Sequence, residues 1–307
     1  MIKSVIFFCL LLIVVIVFSF FVHPQPLSGI QWHMMKISGI IVLSAALVCF
    51  IIAELTKNYS QIDKIWSIIP VVYLWLFAAM GGWDGRVTLM ALCATVWGAR
   101  LTYNFYRKGA YKLKFWTGEE DYRWEHVRQT PVFKKYPMVW RLFSFFFIAV
   151  YQSFLLWSIT LPAVMAYTGT PQGLSMTDYL LAFTVIALVI IEATADQQQH
   201  VYQTEKHRLK KAGEKADGIY AAGFIQSGLW SYARHPNYLC EQLIWVMLYL
   251  FSVVATGIYI NWSAIGCLLL ILLFQGSADL TEKISLSKYP AYADYIKRVP
   301  KFIPGSK

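Results

Sequence analysis

The chain has 307 residues, 58% of them hydrophobic and 14% charged, and its mean hydropathy is +0.50. Soluble domains are about half apolar and about a quarter charged, so this excess cannot be packed inside a soluble core and marks an integral membrane protein. The formal net charge of +10 and pI of about 9.3 could suggest nucleic acid, but the basic residues cluster between apolar runs, the pattern of cytoplasmic loops, and that excludes the nucleic-acid reading.

A bilayer-crossing helix needs roughly 17–25 mainly apolar residues. The sequence predicts eight, at 4–22, 36–53, 65–81, 87–105, 141–165, 178–196, 238–256 and 258–275. The first has Lys3 ahead of it like a signal peptide. Its apolar run is longer than the usual ~7–15 residues and no small-x-small site follows, so a retained anchor is expected. The third run contains Pro70, and the turn GGWDG after it makes 65–81 and 87–105 a predicted hairpin. The five cysteines, Cys9, Cys49, Cys93, Cys240 and Cys267, all lie in apolar runs without a CxxC pair, so they are expected as small core residues. The expectation is one integral membrane domain over 1–307, with 1–50 as accessory helices and 51–304 as the core.

The lysines and arginines set the expected topology. Nine lie at 107–141, six at 206–234 and six from Lys283 onward; with Lys3, Lys57 and Lys64 this makes 24 of the 27. Eight helices with both termini in the cytoplasm fit that alternation. Ionisable residues within or at the ends of the spans are costly and face a cavity or a partner. Here they are Glu54, Arg100, Glu192, Asp196, Glu241, Asp279 and Glu282, all expected near cytoplasmic helix ends. The fold class expected is therefore an all-α polytopic membrane helix bundle with a polar cavity open to the cytoplasm. Wet helix ends are the plainer alternative, and Glu282 reads as interfacial.

The stretch SYARHPNYLCEQLIW carries most of the chemistry. Pro236 suits the first turn of a helix, and the residue before a proline is pushed to an extended conformation. A helix starting at Pro236 would point free N–H groups and a partial positive charge at the cytoplasm, which is an anion site. Arg234 and His235 reinforce that field. Asn237 and Glu241 are four apart and share a face. A ligand with phosphate and amide groups would match; a headgroup-binding Arg-His with a snorkelling Glu241 is the structural alternative. Upstream, Glu192, Asp196, His200, Gln203 and His207 form one polar stripe on a helix extending beyond the membrane. A stripe that hydrogen-bonds a ribose or amide is expected in preference to a metal site, since no HExxH or cysteine set accompanies it. The loop GEEDYRWEHVRQT reads as amphipathic and interfacial. Near the C-terminus Tyr289, Tyr292 and Tyr295 recur every third residue among basic residues, either as an interface anchor or as an aromatic-basic lid over a nucleotide.

The run GLWSYARHPNYLCE resembles the signature of the steroid 5-alpha-reductase-like membrane enzymes, in particular of the bacterial branch called the DUF1295 family. That branch shows N-x-S-x-x-D-x-x-W-S, present as Asn58, Ser60, Asp63, Trp66 and Ser67, and WG-x-RL, present as Trp97, Gly98, Arg100 and Leu101. EDYRW (Glu120 to Trp124), E-x-x-A-D-x-Q (Glu192, Ala195, Asp196, Gln198) and an ending like EK…YPAY…Y…FIP complete the pattern, which covers residues 50–304. The resemblance implies NADPH-dependent reduction of a carbon–carbon double bond in a lipid or steroid-like enone. By position Arg100, Asp196, Asn237 and Tyr238 match cofactor contacts, Glu241 a carboxylate at the border of cofactor and substrate, and Asp63 an acidic residue for the substrate carbonyl. Two positions depart from the steroid reductases: Trp97 stands in place of a tyrosine, and Gln203 in place of an arginine, where Lys206 or Arg208 is the substitute.

The expected mechanism is hydride transfer at the membrane interface. The phosphates of NADPH would be held by Arg100, Arg208, Arg234 and the helix start beside His235, and the aromatic lid would include Tyr295. A proton donor aimed at the carbonyl oxygen would be Glu241 or Asp63, with Tyr103 as a further candidate. Membrane methyltransferases of isoprenylcysteine or phospholipid headgroups share RHPxY and would use S-adenosylmethionine instead. A lipid-binding scaffold is the non-enzymatic alternative. The host is expected to be a bacterial inner membrane, or the endoplasmic reticulum in a eukaryote, and substrate identity and oligomeric state are left open.

Overall fold

The computed structural model describes Val14, residues 26–169 and residues 173–305. The expected span 4–22 lies, apart from Val14, outside the described residues. Those described are helical and contain no strand. Among the described residues, five helices are long and apolar enough to cross a bilayer: Gly29–Thr56, Pro137–Ala166, Met176–Ala212, Pro236–Thr256 and Trp262–Lys288. The protein is thus an integral membrane protein with a polytopic helical architecture. It divides into two compact units, one running through Phe183 and including Val246–Leu270, the other comprising Thr184–Trp245 and Ile271–Lys307.

In the first unit α1 (Gly29–Thr56) starts well before the expected 36–53. The cause is a capping box: Ser28 N–H donates to Gln31 Oε1 at 2.8 Å, and Gln31 N–H to Ser28 Oγ at 3.3 Å. Lys57, in the left-handed conformation at φ 55°, ends it. Ile40, Leu43, Leu47, Val48, Ile51 and Leu55 stay exposed along α1, as a lipid-facing helix requires. After α2 (Gln61–Ile65), the third expected span contributes only α3 (Ile69–Met80), because Pro70 starts a new helix after the turn at 66–68. At 12 residues it is about 18 Å long, too short to span a bilayer alone.

The predicted hairpin is present. Gly82 (φ 65°) and Trp83 (φ 61°) turn the chain, and Asp84 caps α4 (Gly85–Arg107) by accepting from Arg86 and Val87 N–H. A Cβ on Gly98 would lie 2.6 Å from Ser67 O, so glycine sets how closely the hairpin packs. α4 has the length of a span but carries Arg86, Arg100 and Arg107 and stands outside the five apolar helices. The loop helices α5 (Tyr122–Arg128) and α6 (Pro131–Lys135) follow. The run Pro137–Ala166 is then built from α7 (Pro137–Phe143), a π-helical stretch Ser144–Tyr151, α8 (Gln152–Ser158) and α9 (Leu161–Ala166).

One feature of this unit escapes sequence reading. Arg86 and Asp178, 4% and 0% exposed, form a bidentate pair, with Arg86 Nε 2.7 Å from Oδ1 and the guanidinium 3.0 Å from Oδ2. Ser175 adds two hydrogen bonds of 2.8 Å to Oδ2. A buried pair of this kind is tolerated only when its remaining lone pairs are satisfied.

The second unit contains α10 (Met176–Ala212) from Thr184, α11 (Pro236–Thr256) to Trp245, α12 (Ile265–Lys288) from Ile271 and α13 (Tyr292–Arg298). At 37 residues α10 extends about 56 Å, beyond the ~30 Å hydrocarbon core, as its polar stripe predicts. Two aromatic clusters pack this unit: Tyr202, Ile225 and Trp230, and Phe224, Tyr292, Tyr295 and Val299.

Candidate functional site

The site lies in the second unit, around the start of α11. Pro236 occupies the first helical position, as expected. The two residues before it are paired along the backbone with the tail: Arg234 N–H donates to Pro300 O at 2.9 Å and His235 N–H to Lys301 O at 3.1 Å. The Arg234 side chain, 7% exposed, places Nε 2.8 Å from Glu282 Oε1 and donates also to the carbonyls of Ile296 (3.2 Å) and Val299. A cation at the C-terminal end of α13 meets its unpaired carbonyls and the negative end of its dipole. Glu282 Oε1 also lies 3.0 Å from His235 Nε2, so one buried carboxylate holds both residues.

His235 is buried against Tyr238, with ring centroids 5.3 Å apart and planes inclined by 13°, and against Phe302. Burial drives its pKa below the ordinary value; the Arg234 and Lys301 charges add to that, and Glu282 opposes it. The ring is accordingly neutral at pH 7, with Nε2–H the tautomer that donates to an ionised Glu282. Lys301 is itself held, Nζ donating to Asp279 Oδ1 at 2.5 Å.

The first turn of α11 carries the polar group facing α10. Asn237 Nδ2 donates to Asp196 Oδ1 at 3.2 Å. The other end of the carboxamide, Asn237 Oδ1, is buried and accepts no hydrogen bond from the described residues. Such an atom carries a desolvation cost unless something donates to it. Two further carboxylates stand one helical turn away, four residues before Asp196 and four after Asn237. Those positions are Glu192 and Glu241, each 3% exposed. A neighbouring turn is pinned to α10. Leu229 N–H donates to Gln198 Oε1 at 2.9 Å, and Trp230 Nε1 to Ala195 O at 3.1 Å. Gly228, at φ 62°, lets the chain pass where a Cβ would lie 2.6 Å from the Gln198 amide.

The structure therefore brings Asp196, Arg234, His235, Asn237, Tyr238 and Glu241 into one unit. Arg208 lies on the exposed end of α10, where it pairs with Glu205 (2.8 Å) and Glu214 (3.1 Å). Tyr292 and Tyr295 pack on Phe224 in the protein interior, which corrects the interface-anchor reading, and Tyr295 donates its hydroxyl to Trp230 O at 2.5 Å. The polar stripe of α10 is buried at Glu192 and Asp196 and becomes exposed by His207. Gln198 and Glu282 are the residues whose importance local sequence patterns understate.

Asp63, Arg100 and Tyr103 belong to the first unit. Asp63 is 7% exposed and accepts from Trp124 Nε1 at 2.8 Å. Burial, then the nearby Asp121 charge, pushes its pKa above the usual carboxylate range. Arg100 is half-buried on α4, and Tyr103, 62% exposed, lies beneath the Arg107 guanidinium.

An all-helical polytopic membrane protein with a buried carboxamide–carboxylate pair at a helix start is the class these features define. The chain belongs to the family described as a protein of unknown function, DUF1295, which matches residues 49–299. It is similar to an uncharacterized protein of Schizosaccharomyces pombe, 38% identical over 260 residues, covering 81% of this chain and 73% of that one. No solved structure matches it.

Proposed function

We propose that the protein is a membrane-embedded, NADPH-dependent reductase of a carbon–carbon double bond in a lipid or steroid-like enone. The observation that carries this reading is the Asn237 carboxamide, held by Asp196 through Nδ2 and presenting a buried acceptor, Oδ1, that no group among the described residues fills. An amide N–H is the complementary donor, and the nicotinamide carboxamide supplies one. Asp196, an acceptor while ionised, suits a ribose hydroxyl or the same amide.

NADPH, when bound, supplies the hydride. Asp196 and Asn237 orient its nicotinamide end. Glu241, one turn deeper on the face of Asn237, is the proposed holder of the proton for the substrate oxygen. Arg234 and His235 act by fixing the start of α11 through Glu282. Phosphate contacts from Arg234 or Arg208 would require each to leave its present carboxylate partners. The apolar body of the spans admits a lipid substrate, and the cofactor is proposed to enter from the cytoplasm.

Calorimetry of the detergent-solubilised protein with NADPH and with S-adenosylmethionine tests this. NADPH should bind, and Asn237→Ala should weaken it roughly tenfold, the effect of one buried hydrogen bond at ~1–1.5 kcal/mol. Binding of S-adenosylmethionine alone, or NADPH binding untouched by Asn237→Ala, overturns the proposal.

A further inference from the structure

The loop between α4 and α5 takes no part in the proposed reaction, yet it is built with care. Its ends are fastened together. Glu119 N–H donates to Gly109 O at 3.0 Å, and Asn58 Nδ2 donates to Gly118 O at 3.0 Å. Gly118 has φ 120°, and a Cβ there would lie 2.2 Å from Ala110 O, so only glycine lets the two strands of the loop touch. A compact surface loop with closed ends is an Ω-loop.

Three consecutive carbonyls of this loop turn inward onto α2. Lys64 Nζ, on a residue with no exposed surface, donates to Phe115 O at 3.3 Å and Thr117 O at 2.9 Å. Between them Gln61 Nε2 donates to Trp116 O at 3.1 Å. Tyr111 returns a bond to Lys64 O at 2.7 Å. With the backbone captured on the inside, the side chains face out: Leu113 is fully exposed, Phe115 42% and Trp116 48%. Lys112 and Lys114 alternate with them and are exposed. Lys112 has Glu119 as a distant partner at 4.0 Å.

Water is a poor solvent for a rigidly displayed leucine, phenylalanine and tryptophan. A bilayer interface is a good one: the indole sits at headgroup level, the aliphatic tip enters the acyl boundary, and the lysines meet anionic phosphates. The closed loop begins at Gly109, two residues after the end of α4 at Arg107. We propose that the Lys112–Trp116 face is an interfacial anchor that seats on anionic lipid of the host membrane. Lys64 and Gln61 keep it rigid, so insertion requires no folding of the loop.

The test uses the full-length protein reconstituted in phosphatidylcholine bilayers with and without phosphatidylglycerol. The fluorescence difference between wild type and Trp116→Phe isolates Trp116 from the other tryptophans. With lipids brominated near the headgroup end of the acyl chain, that component should lose most of its intensity, and aqueous iodide should barely reach it. In detergent, Lys112→Gln with Lys114→Gln should weaken retention of phosphatidylglycerol, followed by native mass spectrometry, by roughly thirtyfold, about fivefold per lysine. Quenching of Trp116 by iodide and not by brominated lipid overturns the proposal. Shielding from both quenchers in a protein that sediments as a dimer also overturns it, assigning the face to a second copy.

Discussion

Glu282→Gln removes the charge that Arg234 and His235 share while keeping the size of the side chain. The pair is 7% and 10% exposed, so solvent screens it little. Breaking a buried pair by removing one partner costs about 3–5 kcal/mol. Arg234 keeps its bonds to the carbonyls of Ile296 and Val299, so the lower end applies. About 3 kcal/mol raises the population of the detached tail roughly a hundredfold. Cleavage after Lys301 reports that population, because its carbonyl accepts from His235 and its ammonium is bound to Asp279. When opening is fast relative to cleavage, proteolysis follows the equilibrium. Trypsin under such conditions should therefore cut the variant after Lys301 about a hundredfold faster than wild type. Cleavage within the exposed Lys210–Lys211 pair should stay unchanged. Equal rates after Lys301 would refute the view that Glu282 holds the tail to the start of α11.

Two further outcomes follow from the buried titratable groups. The pKa of Asp63 is raised on folding, so its favourable contribution is present at low pH and is lost as pH rises through the folded value. Asp63→Asn should then be as stable as wild type at acid pH and more stable at pH 8 in detergent melts, since Trp124 Nε1 can still donate to the amide oxygen; a variant that loses stability at pH 8 contradicts this. The pKa of His235 is lowered, so the unfolded chain takes up the proton first, and stability should fall as pH drops below about 6.5. His235→Gln should flatten that part of the curve, with the facing Glu282, Arg234 and Lys301 unchanged; an identical slope in both proteins rules the histidine out.

What the sequence discloses and what it hides divide along a physical line. Local rules hold where the cause is local. The helix start at Pro236, the GGWDG hairpin turn and the extension of α10 past the membrane all rest on neighbours a few residues apart. They fail where a short-range signal is weak but decisive. The Ser28–Gln31 capping box moves the start of α1 to Gly29, and Pro70 splits the third apolar run, shortening it to α3.

The site shows the same division more sharply. Asp196 and Asn237 stand out in the sequence as polar residues at membrane depth, and they meet. Glu282 resembles any interfacial carboxylate, because its role comes from residues 48 and 47 positions away that reach it only through the fold. The same applies to Arg86 and Asp178, each a lone charge beside an apolar run, separated by 92 residues. Arg234 is the instructive case: as a free cation before a helix start it reads as a phosphate ligand, but its guanidinium is occupied by Glu282 and the end of α13. Charge in the sequence locates where chemistry is concentrated. Only the partner decides whether a cation faces a ligand or holds the structure that does.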